Sequence, residues 1–131
     1  MRGIVKTISI IFMTLAVLIL EFSGPAASYG EQAKLAQVIY ITLTKACSCT
    51  LERCQAGDAV VGNVFNGPRQ GLLKRIDYAT DKETAKVYIQ KYRVTQAPAL
   101  LFLDAQGNLL WTKAGELNEK EIADKLSQFG G

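Results

Sequence analysis

The amino-acid sequence points to an α/β fold, a mixed sheet of four to five strands with helices on both faces. From Gln37 onwards, apolar β-branched runs alternate with stretches of helical spacing. Two of the intervals between runs are long enough for a helical crossover, and a third, Gln106-Gly107-Asn108, is short enough to force a hairpin. With 131 residues and a hydrophobic fraction of 49%, the chain has room and material for one domain.

Residues 1–30 read as a segment apart. Arg2 and Lys6 form a basic start, Ile8 to Leu20 is a mostly apolar run, and Ser23-Gly24-Pro25-Ala26-Ala27-Ser28 is small and helix-breaking. That order is the order of a secretory signal peptide, cleaved near Ala26 to Gly30. A bilayer-crossing helix usually takes about 20 apolar residues, and this run stops earlier, at Glu21. The alternatives are an uncleaved N-terminal membrane anchor and, last, a buried helix. Both the signal and the anchor reading export the remaining domain, residues 31–131, to the periplasm or another extracytoplasmic space, held at the inner membrane if the segment stays. No cysteine lies between the apolar run and Cys47, so a lipid-modified cysteine at the cleavage point is excluded.

Gln37 to Thr44 (QVIYITLT) is rich in Val, Ile and Thr and too short for a helix, so it reads as a buried strand. From about Thr50 to Phe65 the spacing of Leu51, Cys54, Val61 and Phe65 favours a helix. Gly57 and Gly62 weaken it by about 1 kcal/mol each, which predicts a bend or fraying. Residues 66–71 are a loop by composition, and Leu72 to Asp77 is the next strand. Thr80 followed by Glu83 forms a capping box for a helix from about Asp81 to Tyr92, with Ala85, Tyr88 and Tyr92 facing the sheet. Pro98 opens a strand at Ala99 to Asp104, and Gly107 turns the chain into Leu109 to Lys113, with Trp111 packed in the core. A last helix opens at Asn118, boxed by Glu121, with Ile122, Leu126 and Phe129 on one face. Strand-helix-strand units imply parallel pairing, and the hairpin forces an antiparallel pair.

Charge and composition narrow the function classes. Without Arg2, Lys6 and Glu21 the chain keeps 13 basic and 11 acidic residues, spread along its length, and nothing suggests nucleic acid. Gly62, Gly67 and Gly71 have no Gly-Lys-Ser or Gly-Lys-Thr after them, so a phosphate cradle is unsupported. The absence of histidine removes His-assisted hydrolysis and the commonest transition-metal ligand. Cysteine chemistry is what remains. Cys47-Ser48-Cys49-Thr50 follows the first strand, and Pro98 lies 51 residues beyond Cys47 at the start of another. Cys47 is expected at the mouth of a helix, where unpaired N–H groups and the positive end of the helix dipole stabilise a thiolate. Lys45 stands two residues before it.

Residues 37–129 resemble a thioredoxin-like domain. The resemblance is carried by Lys91 to Leu103 (KYRVTQAPALLFL), Gly107, Gly115 and the capped final helix. It implies a cis proline at Pro98 lying against the active-site sulfur, with Ala97, Pro98 and Ala99 shaping the substrate groove. It also implies an exported thiol-disulfide oxidoreductase, monomeric, whose partners are protein thiols or disulfides and a second redox protein. No bound cofactor is needed, because sulfur exchange carries the electrons. The chain departs from the family's Trp-Cys-x-x-Cys motif. Thr50 stands where the second cysteine belongs, and Ile41 where a buried acid usually precedes the motif. Cys47 is the expected attacking thiolate and Cys49 the expected resolving thiol, although a Cys-x-Cys disulfide closes a small strained ring that is easy to reduce. Cys54 is a reserve or structural thiol, since five helical residues from Cys49 rise about 7.5 Å, beyond comfortable disulfide reach. Two other classes use the same residues: a copper-type soft-metal site built from the three thiolates, whose spacing matches no strong zinc pattern, and a non-catalytic binding module presenting the Pro98 surface.

Overall fold

The computed structural model describes residues 32–131, and the segment read as a signal or anchor lies outside them. The described elements are β1 (Gln37–Thr42), α1 (Ser48–Val64), a 3₁₀ segment (Gly67–Leu72), β2 (Leu73–Asp77), α2 (Lys82–Tyr92), β3 (Ala99–Leu103), β4 (Leu109–Ala114) and α3 (Glu119–Phe129). Their sheet is four-stranded in the order β2-β1-β3-β4. β1 pairs in parallel with β2 and antiparallel with β3, and β3 pairs antiparallel with β4.

The near-continuous apolar run of β1 is explained by its central place, since every residue from Val38 to Thr42 is buried. Alternate side chains serve opposite faces. Val38 and Tyr40 join Leu100 and Phe102 against Val61, Val64 and Phe65 of the α1 region and Ile122 and Leu126 of α3. Ile39 and Ile41 join Ala99, Leu101 and Ile76 against Ala85 of α2, with Tyr88 and Tyr92 packed alongside. Helices therefore cover both faces. Trp111 is partly buried and meets the Phe102 ring edge-on at 5.1 Å.

Several local expectations are corrected. α1 runs unbroken through Gly57 and Gly62 and begins two residues earlier than its apolar spacing implied. The stretch after it is not an open loop: Pro68 stands in the first turn of the 3₁₀ segment, where its missing N–H costs nothing. The cap of α2 is Asp81, whose carboxylate accepts from Thr84 N–H at 3.3 Å, while the Thr80 hydroxyl turns back to the Asp77 carbonyl. α3 is capped by Asn118, which accepts from Glu121 N–H at 3.0 Å. The Glu121 carboxylate leaves the cap and pairs with Lys113 on β4 at 2.8 Å.

The second strand-helix-strand unit is not a parallel pair. α2 ends at Arg93 in the left-handed conformation, and residues 93–98 carry the chain to the far side of β1, where β3 runs antiparallel. The turn into β4 is held by Gly107, with φ of 80°, and by Asp104, which accepts from Gln106 and Asn108 N–H at 2.9 and 2.8 Å. Among the described residues no helix is long and apolar enough to cross a membrane.

Candidate functional site

β1 ends at Thr42, and the chain is steered into α1 by Asp77 at the end of β2. Its carboxylate accepts from Thr44 N–H at 3.2 Å and from the Thr44 hydroxyl at 2.5 Å. Cys47 is then the N-cap of α1, with φ −63° and ψ 156°. Its carbonyl accepts from Thr50 N–H at 3.1 Å and Leu51 N–H at 3.0 Å. The N–H groups of Ser48 and Cys49 are left at the open helix mouth, as in the first turn of any α-helix.

Three side chains converge there. Cys47 Sγ lies 3.2 Å from Cys49 Sγ and 3.2 Å from Thr50 Oγ1. Both cysteines are exposed and unbonded thiols. The Thr50 hydroxyl, then the Cys49 thiol and the Thr50 backbone N–H, bring the Cys47 thiol down to about 7, below its ordinary value. A depressed value means the folded state favours the thiolate. Its contribution to stability is present above the unfolded cysteine value and is lost as the pH falls through about 7. A thiolate populated near neutrality is the nucleophilic form of the residue. Lys45, exposed nearby, is not among the donors.

Cys54 is one turn further along and buried, so it is not brought to this cluster. Among the described residues no group of three or more His, Cys, Asp and Glu side chains converges as a metal site would require, and the three thiols are not assembled around one point. Cys54 belongs instead to a deeper neighbourhood that also holds Pro98. The Ala97–Pro98 peptide bond is cis. The Pro98 ring and the Tyr40 hydroxyl both press against Gly57: a Cβ built there would lie 2.8 Å from Pro98 Cγ and 2.9 Å from the Tyr40 oxygen. Gly57, read from sequence as a weakness in the helix, is the point where α1 admits the proline. Ala99 is buried at the start of β3, while Ala97 is half-exposed and borders a cavity of about 310 Å³ beside Ile41, Leu43, Tyr78, Ile89 and Val94.

Two residues escaped the sequence reading. Thr50 was recognised only as the place of a missing cysteine, although a hydroxyl three residues after an N-cap sulfur is within reach of it. Asp58 is the second. Its carboxylate accepts from the Tyr40 hydroxyl at 2.7 Å, the Thr42 hydroxyl at 3.2 Å and the Arg75 guanidinium at 2.9 Å. Burial first, with the Asp58 charge adding, pushes the Tyr40 phenol far up, so it stays a neutral donor. It also reaches the Cys54 carbonyl at 3.4 Å. Asp58 thus supplies an acid on the inner side of α1 where Ile41 of the strand does not. Eleven residues of helix, about 16 Å of rise, separate it from Cys47, too far for direct proton transfer. Its position one turn after Cys54 on the inward face was the available signal.

No protein-family model matches this chain, and no curated protein matches it. Its structure is similar to that of thioredoxin from Aeropyrum pernix, at 14% identity over 74% of this chain and 75% of that one, with a TM-score of 0.51. A DsbH oxidoreductase is similar at 16% identity, over 75% of this chain and 74% of that one, with a TM-score of 0.51. The reduced C-terminal domain of Neisseria meningitidis DsbD is similar at 14% identity, over 76% of this chain and 84% of that one, with a TM-score of 0.50. At such identities the likeness speaks for architecture alone, and it agrees with the element order and the mixed sheet: the described domain has the thioredoxin-like fold.

Proposed function

We propose that this protein is an exported thiol-disulfide oxidoreductase that exchanges disulfides with protein substrates through Cys47. The observation that carries the reading is the convergence of Cys49 Sγ and Thr50 Oγ1 on Cys47 Sγ, each at 3.2 Å, with the thiol lowered to about 7. Export is supported by the order of basic, apolar and small residues in positions 1–30.

The Cys47 thiolate attacks a substrate disulfide, forming a Cys47–substrate disulfide and releasing one substrate sulfur as thiolate, which takes a proton from water. Cys49, on losing its proton, attacks Cys47 Sγ. The Cys47–Cys49 disulfide forms, the second substrate sulfur leaves, and two electrons have passed from the protein to the substrate. A partner dithiol returns them. Run backwards, the same steps oxidise a substrate dithiol. Ala97, at the edge of the cis-proline loop, belongs in this reading to the groove that receives the substrate chain, with Pro98 and Ala99 shaping it.

The test is trapping on the full chain with insulin as the disulfide substrate. Cys49→Ser is expected to accumulate a mixed disulfide at Cys47, read by mass spectrometry after acid quench. Cys47→Ser is expected to accumulate none and to lose exchange. An unchanged exchange rate in Cys47→Ser would overturn the reading.

A further inference from the structure

The Thr50 hydroxyl does not stand equally near the two exposed sulfurs. Its oxygen is 3.2 Å from Cys47 Sγ and 4.0 Å from Cys49 Sγ. Its backbone N–H is fixed to the Cys47 carbonyl at 3.1 Å, which pins the residue in the first turn and aims the hydroxyl back at the cap. A hydroxyl gains most when its acceptor is charged, so a donor nearer one sulfur favours ionisation of that sulfur over the other. Unlike a thiol at the same place, a hydroxyl can neither attack a disulfide nor be drawn into one. It holds a thiolate without competing for the substrate.

Resting on the oxidoreductase reading above, we propose that Thr50 is the positioning residue of the dithiol: by donating to Cys47 Sγ it makes Cys47, not Cys49, the charged sulfur, both when it attacks and when it is released from the mixed disulfide. The thiol of lower pKa is also the better leaving group, so one hydrogen bond acts on both steps. When Cys47 is bonded to substrate it carries no charge, and the hydroxyl no longer discriminates. When a substrate thiolate attacks its own sulfur in the mixed disulfide, the S–S bond breaks toward Cys47, and the electron pair returns to the sulfur that Thr50 faces.

The test compares Thr50→Val, which keeps the shape and removes the hydroxyl, with Thr50→Ser, which keeps the hydroxyl. The readout is the pH profile of iodoacetamide alkylation, mapped separately at Cys47 and Cys49 by peptide mass spectrometry. In Thr50→Val the Cys47 profile is expected to move to higher pH. Its rate below neutrality should fall about threefold to tenfold, since one pKa unit is tenfold in thiolate fraction. The preference for Cys47 over Cys49 should shrink with it, and Thr50→Ser should restore both. Thr50→Ala provides a second hydroxyl-free variant if valine disturbs folding. A Thr50→Val profile superimposed on that of the unaltered protein, or a Thr50→Ser profile that matches Thr50→Val, overturns the proposal. Alkylation needs no protein substrate. A shifted profile in a protein that never exchanges disulfides with insulin would therefore retire the oxidoreductase reading and leave the role of Thr50 standing.

Discussion

Cys49 and Cys54 share one helix, yet the first is exposed within 3.2 Å of another sulfur, and the second is buried one turn before the point where Pro98 and Tyr40 press on Gly57. The mouth of α1 is a cluster of small polar groups open to solvent, and what lowers the Cys47 thiol there is hydrogen bonding, first from the Thr50 hydroxyl. Half a helix further on, the same element is packed and spaced, and its polar groups are paired: Asp58 has three partners on β1 and β2. Among the described residues no buried side-chain nitrogen or oxygen lacks a partner. A thiol's reactivity follows which of these settings it occupies, not its distance along the chain from another cysteine.

The sharpest way to break this contrast is alkylation in the native state. Cys54 is expected to react about a thousandfold more slowly than Cys47, because the reagent must wait for a local opening that costs about 4 kcal/mol. Reaction of Cys54 within tenfold of Cys47 would show the interior of α1 to be open. A smaller effect is expected from Gly57→Ala. The added methyl meets the Pro98 ring and the Tyr40 oxygen, neither of them the far end of a flexible chain. Overpacking of about 1–3 kcal/mol then exceeds the helix propensity that alanine contributes, about 1 kcal/mol. Urea unfolding measures it, and a neutral or stabilising result would mean that the proline loop does not bear on the helix. The smallest effect belongs to Tyr40→Phe, which removes one donor from Asp58 and leaves Thr42 and Arg75. A loss of about 1 kcal/mol is expected by the same measurement. A loss above about 3 kcal/mol would mean that the carboxylate depends on the phenol alone.

The contrast also separates what the sequence revealed from what it hid. Strands with strict apolar or β-branched character, such as Val38 to Ile41 and Leu100 to Leu103, were legible because burial on both faces leaves no other composition. Gly107 and Asn118 were legible because a positive φ and an N-cap have narrow residue preferences. Thr80 misled because it and Asp81 are both good caps, and what separates them is that the Thr80 hydroxyl bonds back to the Asp77 carbonyl of the preceding turn while Asp81 accepts from Thr84 N–H. Residues 66–71 misled because glycine and proline in a short 3₁₀ turn look like glycine and proline in a loop. The direction of β3 depends on which side of β1 the chain returns to, which no local pattern encodes. At the site, the cysteines and Pro98 stood out by residue type. Asp58 did not, because its partners are 16 to 18 residues away in sequence. Thr50 was visible but was read for the sulfur it lacks.

Three sulfurs cannot all pair with one another, and in an oxidising medium the unmatched one is where crosslinks between molecules begin. Docking of α1 decides which it will be, by carrying Cys54 inside and leaving Cys47 and Cys49 to each other. A chain folding in such a medium would have to settle the helix on its sheet before oxidants reach the third thiol, and one that failed to do so would be tethered to a neighbour.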